Sequence, residues 1–434
     1  MRFRSTRSPD ATVSFKDAVL QCLPIDGGLY VPVAPVDLRQ FFLYMDELTS
    51  YPDLVATAMS PLLEGELNPL SASRVAKSAF AFEPVLHRLD DRLSLLELHN
   101  GPTGVFKDFG IAFLAAVMEE LLKGGERAMT LTASTGDTGS SVAHAFAGRK
   151  GITTVILYPK GHVRGLNPST FIQNGGNILP IQIEGTFDDC QRLILEAFED
   201  RPFALRYGLT SANAINIGRL LPQAFYFLFA FIKLKREVSG DLFFSVPSGN
   251  FGNLIAGLYA WKFGMPVNGF IAAMNSNDAF GDYLRGKAFA PRPPITTVSS
   301  SMDVGNPSNY ERLASFYSEA PSVMRNMVFP ETVDDAATKA AMVRAWKTHG
   351  VLLDPHGAVG YAAAERALAS DLEGGHVVVI STGHPAKYSA LVESVTGQVP
   401  EIPKALSSLA LEVEPVATIA ARLDVLEAVI AGCC

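Results

Sequence analysis

Leu242-Phe243-Phe244-Ser245-Val246-Pro247-Ser248-Gly249-Asn250-Phe251-Gly252-Asn253 joins a short apolar run to a glycine-rich turn, and Leu254 to Trp261 continue it with helical character. A strand over Leu242 to Val246 followed directly by a turn and a helix is the unit from which parallel α/β folds are built. The turn offers backbone N–H groups at a helix N-terminus, an arrangement that holds phosphate. It is not a Walker loop, since no Gly-Lys-Ser/Thr follows. It is also a poor dinucleotide fingerprint, since the next acidic residue, Asp278, lies beyond the following strand. In isolation the same residues read equally well as a plain turn with an Asn cap.

The pattern recurs on both sides of this stretch. Met129 to Ala133, Thr153 to Leu157, Ile178 to Ile183, Phe270 to Ala273 and Val377 to Ser381 are further candidate strands, several of them continuous apolar runs of the kind buried on both faces of a parallel sheet. Two more of them lead into conspicuous loops, Ser134-Thr135-Gly136-Asp137-Thr138-Gly139 and Thr382-Gly383-His384. In an open parallel sheet such loops share the carboxyl edge of the strands, where ligands bind. Residues before about Asp90 lack a glycine-rich phosphate loop and read as a mixed cap, with helical spacing through Leu38, Phe41, Phe42, Met45 and Leu48. Pro291, Pro293 and Pro294 mark a loop between two α/β portions, and there is no internal repeat.

The chemistry-bearing candidate nearest the first strands is Lys107, in Gly101-Pro102-Thr103-Gly104-Val105-Phe106-Lys107-Asp108-Phe109-Gly110, just before the apolar helix Ile111 to Leu122. The flanking Phe106 and Phe109 predict an apolar wall, which disfavours the ammonium form and exposes the neutral amine that Schiff-base chemistry uses. Asp108 suits the first turn of the helix. The local pattern also fits a surface lysine at a helix start. Ser134 to Gly139 offers hydroxyls, a carboxylate and amides to a substrate carboxylate or phosphate, or is an ordinary capped helix entry.

Composition narrows the function classes. The chain has 434 residues, 48% hydrophobic and 18% charged, with a formal charge of -8. This is a core-rich globular composition without the basic stripe of a nucleic-acid binder. The apolar run Ala224 to Ile232 is about half the length a membrane span needs, and reads as a buried helix. Arg2, Arg4 and Arg7 open the chain with no apolar segment behind them, so a secretory signal is not supported and a cytoplasmic protein is expected. Cys22, Cys190, Cys433 and Cys434 are too few and too badly spaced for a disulfide framework or a zinc site. His99, His144, His356 and His384 show no metal-ligand spacing, and no G-x-S-x-G elbow is present.

Taken together, Leu98 to Gly110, Thr132 to His144, Ser211 to Leu221, Ser245 to Asn253 and Ser381 to Lys387 resemble the threonine synthase family of fold-type II pyridoxal-phosphate enzymes. The likeness runs over nearly the whole chain. Val13-Ser14-Phe15, Asp26 to Pro32, Ser301 to Val304 and Ser308-Asn309-Tyr310-Glu311-Arg312 resemble its longer bacterial and fungal branch. The resemblance implies an α/β fold of open, mainly parallel sheets in two subdomains plus an N-terminal cap. The implied divisions are a cap at 1–90, a large cofactor-binding domain at 91–125 and 220–434, and a small mobile domain at 126–219.

It further implies pyridoxal 5′-phosphate as cofactor, with Lys107 as the Schiff-base lysine. The amides of Gly249, Asn250, Phe251, Gly252 and Asn253 would lie on the cofactor phosphate, Thr382 at the pyridine nitrogen and Asp137 near the 3′-oxygen. Ser134 and Thr135 would hold the substrate carboxylate, and Thr138, Asn213 and Arg219 the substrate phosphate. Arg219 suits that role on chemical grounds, because its planar fork of donors matches phosphate bidentately.

The implied reaction converts O-phospho-L-homoserine and water to L-threonine and phosphate, in a lyase that is a monomer or homodimer and has no nucleic-acid or membrane partner. The rival readings are another fold-type II enzyme such as a threonine or serine dehydratase, a divergent paralogue acting on a different phosphorylated amino acid, and a non-catalytic binding protein. Against the family pattern, Leu98-His99-Asn100-Gly101 replaces Phe-His-Gly, and Gly104-Val105 replaces a bulkier residue followed by Ala. Ala214 stands where Ser is common, and Arg164 to Thr170 lacks a usual Gln.

Overall fold

The computed structural model describes every residue except 135, 161–175, 371, 373, 408–414 and 434. Thr135, the Arg164 to Thr170 segment and Cys434 therefore lie outside the described residues. All six strands expected from the sequence are present, and they fall into two separate sheets. One has six strands in the order Val328–Thr332, Gly269–Met274, Leu242–Pro247, His376–Ser381, Leu93–Glu97 and Val85–Arg88, parallel throughout except for the last pair. The other has five parallel strands in the order Ala417–Ala420, Ile178–Glu184, Ile152–Pro159, Ala128–Ala133 and Leu209–Thr210. The expected fold class, mainly parallel α/β with an N-terminal cap, is the observed one.

Strand pairing departs from the expected divisions at both ends. Val85–Arg88, placed in the cap from its sequence, is the edge strand of the six-stranded sheet. Ala417–Ala420, placed in the large domain, pairs with Ile181 to Glu184 in the five-stranded sheet, and the helix after it, Leu423–Cys433, buries Leu426 and Ile430 in that sheet's core. The chain ends on the unit it had left some two hundred residues earlier, because the exposed edge of Ile178–Glu184 is a template for one more strand.

The cap is tied down at its first residues. Phe3–Ser5 pairs antiparallel with Thr12–Val13 and Tyr30–Pro32. The arginines that open the chain are ion-paired to the helix Tyr310–Glu319, Arg4 with Glu319 at 3.2 Å and Arg7 with Glu311. The expected helical face from Leu38 to Leu48 is shorter than its spacing suggests. The helix is Arg39–Tyr44, Phe41 and Phe42 are buried, and Leu48 is 87% exposed.

Two apolar helices fill the centre. Lys107–Leu121 is buried continuously from Asp108 to Met118. Ile217–Leu234, apolar and long enough to cross a membrane by composition alone, has 89% of its residues inside the fold. Gly110 lets the two approach. A Cβ there would lie 2.4 Å from the carbonyl oxygen of Arg219, a separation that real Cβ atoms do not show. One turn after Lys107, this contact brings Arg219 up to the lysine helix.

Candidate active site

Four loops at strand carboxyl ends meet here. Leu98 N donates to Ser381 O at 3.0 Å, Phe106 N to Thr382 O at 2.9 Å and His384 N to Gly104 O at 2.9 Å, so the segment carrying Lys107 is sewn to the loop carrying Thr382. Lys107 begins its helix and Asp137 begins the helix Asp137–Phe146, where the dipole favours a carboxylate. The two side chains meet, Lys107 Nζ donating to Asp137 Oδ2 at 3.0 Å. A second lysine, Lys387, donates to Asp137 Oδ1 at 2.7 Å. Burial works to raise the Asp137 carboxyl, and the Lys107 and Lys387 ammonium groups more than reverse it, holding Asp137 ionised well below the usual carboxylate range.

The apolar wall expected around Lys107 is corrected. Phe109 lies two positions on, across the helix, and packs into the core against Phe82 at 4.9 Å, Tyr51 at 5.5 Å and Tyr226 at 5.9 Å between ring centroids. The amine faces Asp137 instead. Asp108 lies in the first turn of the helix, as expected. It is buried and accepts from Thr103 N at 2.8 Å and Thr103 Oγ1 at 2.5 Å, pinning the turn before the lysine. Burial raises its carboxyl pKa, opposed by those hydrogen bonds.

The glycine-rich loop has the form a phosphate needs. Phe251 is held in the left-handed region with φ 58°, a conformation that costs about 1–3 kcal/mol for a residue with a side chain. Its ring is anchored on Phe280 at 4.1 Å. Among the described residues, the backbone N–H groups of Gly249, Asn250, Phe251, Gly252 and Asn253 donate to no protein acceptor. The Asn253 side chain accepts from Tyr226 Oη at 2.6 Å, while its buried Nδ2 has no partner. An orphaned buried donor beside a row of free amides calls for an anion. Across the site, Thr382 is buried and its hydroxyl is engaged by none of the described side chains.

Gly249 is required by contact. A Cβ there would sit 2.7 Å from Met302 Cα, backbone against backbone. Gly249→Ala must shift the loop and is expected to weaken pyridoxal-phosphate binding at least about tenfold, roughly the effect of one lost charge-assisted hydrogen bond. Titrating the cofactor into the apoprotein checks this, and an unchanged affinity contradicts it.

The residues expected around a substrate are placed unevenly. Arg219 is 5% exposed, its NH1 donates to Ala212 O at 2.6 Å, and its Nε is buried without a partner. No carboxylate pairs with it among the described residues. Thr138, on the first turn of the Asp137–Phe146 helix, is partly exposed. Ser134 and Asn213 differ from expectation. Ser134 Oγ accepts from Gly136 N at 3.0 Å and Gly139 N at 2.7 Å, so it shapes its own loop. Both ends of the Asn213 amide are engaged by Ala133, at 3.2 Å to its N and 3.1 Å to its O.

Sequence reading missed Lys387 and Arg312. Arg312 is fully buried, and its donors go to Tyr30 O, Ala214 O, Ile215 O and Asn309 Oδ1 at 2.6–3.2 Å. It is a strut from the cap to the segment around Ala214, whose Cβ lies 4.0 Å from where a Cβ on Gly252 would be. His356 Nδ1 lies 2.5 Å from Asp354 Oδ2 and Nε2 accepts from Ser301 N at 3.1 Å, while the rings of His99 and His384 pack edge to face at 5.1 Å.

Residues 84–383 match the family described as "Pyridoxal-phosphate dependent enzyme", residues 2–80 match "Threonine synthase N terminus" and residues 357–430 match "Threonine synthase, C-terminal". A threonine synthase from Haemophilus influenzae is 36% identical over 408 residues, 94% of each chain. The chain belongs to the threonine synthase family. The crystal structure of threonine synthase from Escherichia coli superposes with a TM-score of 0.88 at 34% identity, covering 100% of both chains. The pyridoxal-phosphate-bound threonine synthase from Brucella melitensis does so with 0.89 at 31% identity, over 99% of this chain and 98% of that one. Family membership makes this a pyridoxal-phosphate enzyme and a lyase, and the free amides, the orphaned Asn253 donor and the Lys107–Asp137 pair fit that cofactor.

Proposed function

We propose that this chain catalyses the conversion of O-phospho-L-homoserine and water to L-threonine and phosphate, with Lys107 carrying the cofactor. Arg219 is the observation that carries the substrate assignment. A buried guanidinium with one backbone partner, an orphaned Nε and, among the described residues, no carboxylate beside it is costly unless an anion completes it. Arg312, also buried, has each of its guanidinium nitrogens engaged, by four acceptors in all. Of the two, Arg219 is the one built to receive a phosphate.

Pyridoxal phosphate, when bound, supplies a conjugated sink for negative charge developing at the substrate Cα. The amides of Gly249 to Asn253 and the Asn253 Nδ2 would hold its phosphate, and the Thr382 hydroxyl would meet its ring nitrogen. Lys107 Nζ would take the proton at Cα, give it up, and then take one at Cβ, the two protons ending on Cγ, which becomes the methyl group, and back on Cα. Asp137, kept ionised, orients that amine. Arg219, with the Thr138 hydroxyl, holds the phosphate that leaves from Cγ, and water adds at Cβ. Ser134 and Asn213 hold the carboxylate-side loop in shape from inside the protein. The reading carries with it a cytoplasmic monomer or homodimer with a small-molecule substrate.

The test is product analysis with purified enzyme. O-Phospho-L-homoserine is expected to yield threonine and phosphate in equal amounts, with L-threonine, L-serine and O-phospho-L-serine turned over at least about 10²-fold less efficiently, since a site built for a distal phosphate discriminates through unmet polar groups. Preferred deamination of threonine or serine would identify a dehydratase instead.

A further inference from the structure

Two ammonium groups share one carboxylate, and the second is the more deeply buried. The Lys387 side chain is 5% exposed against 18% for Lys107. A lysine is seldom buried without a specific partner, and Lys387 has two. Its Nζ donates to Asp137 Oδ1 at 2.7 Å and to Thr103 O at 3.0 Å. Thr103 is itself fixed by Asp108 and by Ser141, the latter at 2.8 Å between hydroxyls. Lys387 belongs to the turn Pro385–Tyr388, which follows Thr382 and is started by His384 Nδ1 accepting from Ala386 N at 3.2 Å. It therefore reaches Asp137 from the Thr382 loop, independently of the helix that bears Lys107.

One ammonium is enough to neutralise Asp137 while Lys107 stays free. Lys107 leaves that pairing whenever its amine bonds elsewhere, and a partly buried carboxylate without a cation takes up a proton or draws in water. We propose that Lys387 is a positioning residue that keeps Asp137 an anion, aimed at the lysine end of the site, while the Lys107 amine is engaged in chemistry. The inference rests on the reading that Lys107 bears the cofactor.

Among the described residues, the other titratable groups facing this cluster are Asp108 behind Thr103, His384 on the same loop, Tyr388 next in sequence to Lys387 and, behind those two, the paired Asp354 and His356. Burial lowers His384 to about 4, with the neighbouring His99 adding to the shift, and burial with the Asp137 charge raises Tyr388 far above neutrality. Both stay neutral across the working range. Asp108 is raised by burial and held by Thr103 and Ser141. A change in titration on altering residue 387 that Asp137→Asn abolishes thus reports the two lysines and Asp137.

The experiment compares holoprotein carrying Lys387→Met, Lys387→Gln or Lys387→Arg with the unaltered chain. The readouts are the pH midpoint of the cofactor's visible absorption band and the dissociation constant for pyridoxal phosphate added to apoprotein. With no cation at 387, the Asp137 charge favours every protonated form at Lys107 more strongly. The midpoint is expected to rise by about one pH unit and the dissociation constant by about tenfold. Arg at 387 is expected to restore the midpoint, and Lys387→Met placed on Asp137→Asn is expected to shift nothing further.

Lys387→Gln keeps a donor for Thr103 O, so it gives the same reading if Lys387→Met folds poorly. Unmoved midpoints in the Met and Gln variants overturn the inference. Borohydride labelling separates the two layers: labelled Lys107 with unmoved midpoints refutes the role of Lys387 alone, and failure to label Lys107 in the unaltered chain refutes both.

Discussion

Lys107→Ala is expected to lower the turnover of O-phospho-L-homoserine by at least about 10⁴-fold while leaving the fold intact. A positioned general base alone is worth about 10²–10⁴-fold, and this residue is also the anchor of the cofactor. The fold survives because Asp137 keeps Lys387 at 2.7 Å, so the substitution leaves no unpaired carboxylate in the site. Phosphate release measured beside a thermal melt checks both halves. A melting temperature within a few degrees of the unaltered chain, with activity gone, is the predicted outcome. Retention of a tenth of the activity contradicts the assignment of Lys107.

Arg219→Met is expected to lower activity without lowering stability. Two hydrogen bonds from a guanidinium to phosphate, at about 1.5–3 kcal/mol each, amount to about 10²–10⁴-fold in kcat/KM. Burial lowers the Arg219 guanidinium to about 10 from its ordinary 12.5. Its charge therefore opposes folding at neutral pH, and an apolar side chain of similar length relieves that cost while filling the space. The melting temperature of the apoprotein is expected to hold or rise. Arg219→Lys keeps a charge without the planar fork and is expected to recover only part of the loss. A variant that melts lower and turns over normally would make Arg219 a structural residue.

What was legible in the sequence is what is local. The loop Ser248 to Asn253 and the run around Lys107 announce themselves because strand, turn and helix are contiguous there. The six longer strands carry their own apolar pattern. The strands that escaped notice are short or interrupted. Val328–Thr332 contains Pro330, which an edge strand tolerates and a central one does not, and Ala417–Ala420 is four residues long.

The site itself is only partly local. Nothing near Lys107 in sequence shows that its neighbour is Asp137, thirty positions on, rather than Phe109. Lys387 lies two positions after Pro385 in a short turn and looks like any surface lysine until the Thr382 loop folds it under Thr103. Ser134 and Asn213 carry the right functional groups for a substrate, yet the protein's own backbone takes them first. A sequence displays which donors exist and is silent on which are already engaged. Gly110 is the reverse case, a glycine with no turn to explain it, whose reason is the approach of Arg219 across the helix pair.

The most direct test of the central claim is covalent. Reducing the holoenzyme with borohydride, digesting it and sequencing the modified peptide should place one pyridoxyl group on Lys107, with Lys387 unmodified in the same digest. Recovery of the group on Lys387 or on any other lysine, or a protein that takes up no pyridoxal phosphate at all, would contradict the account.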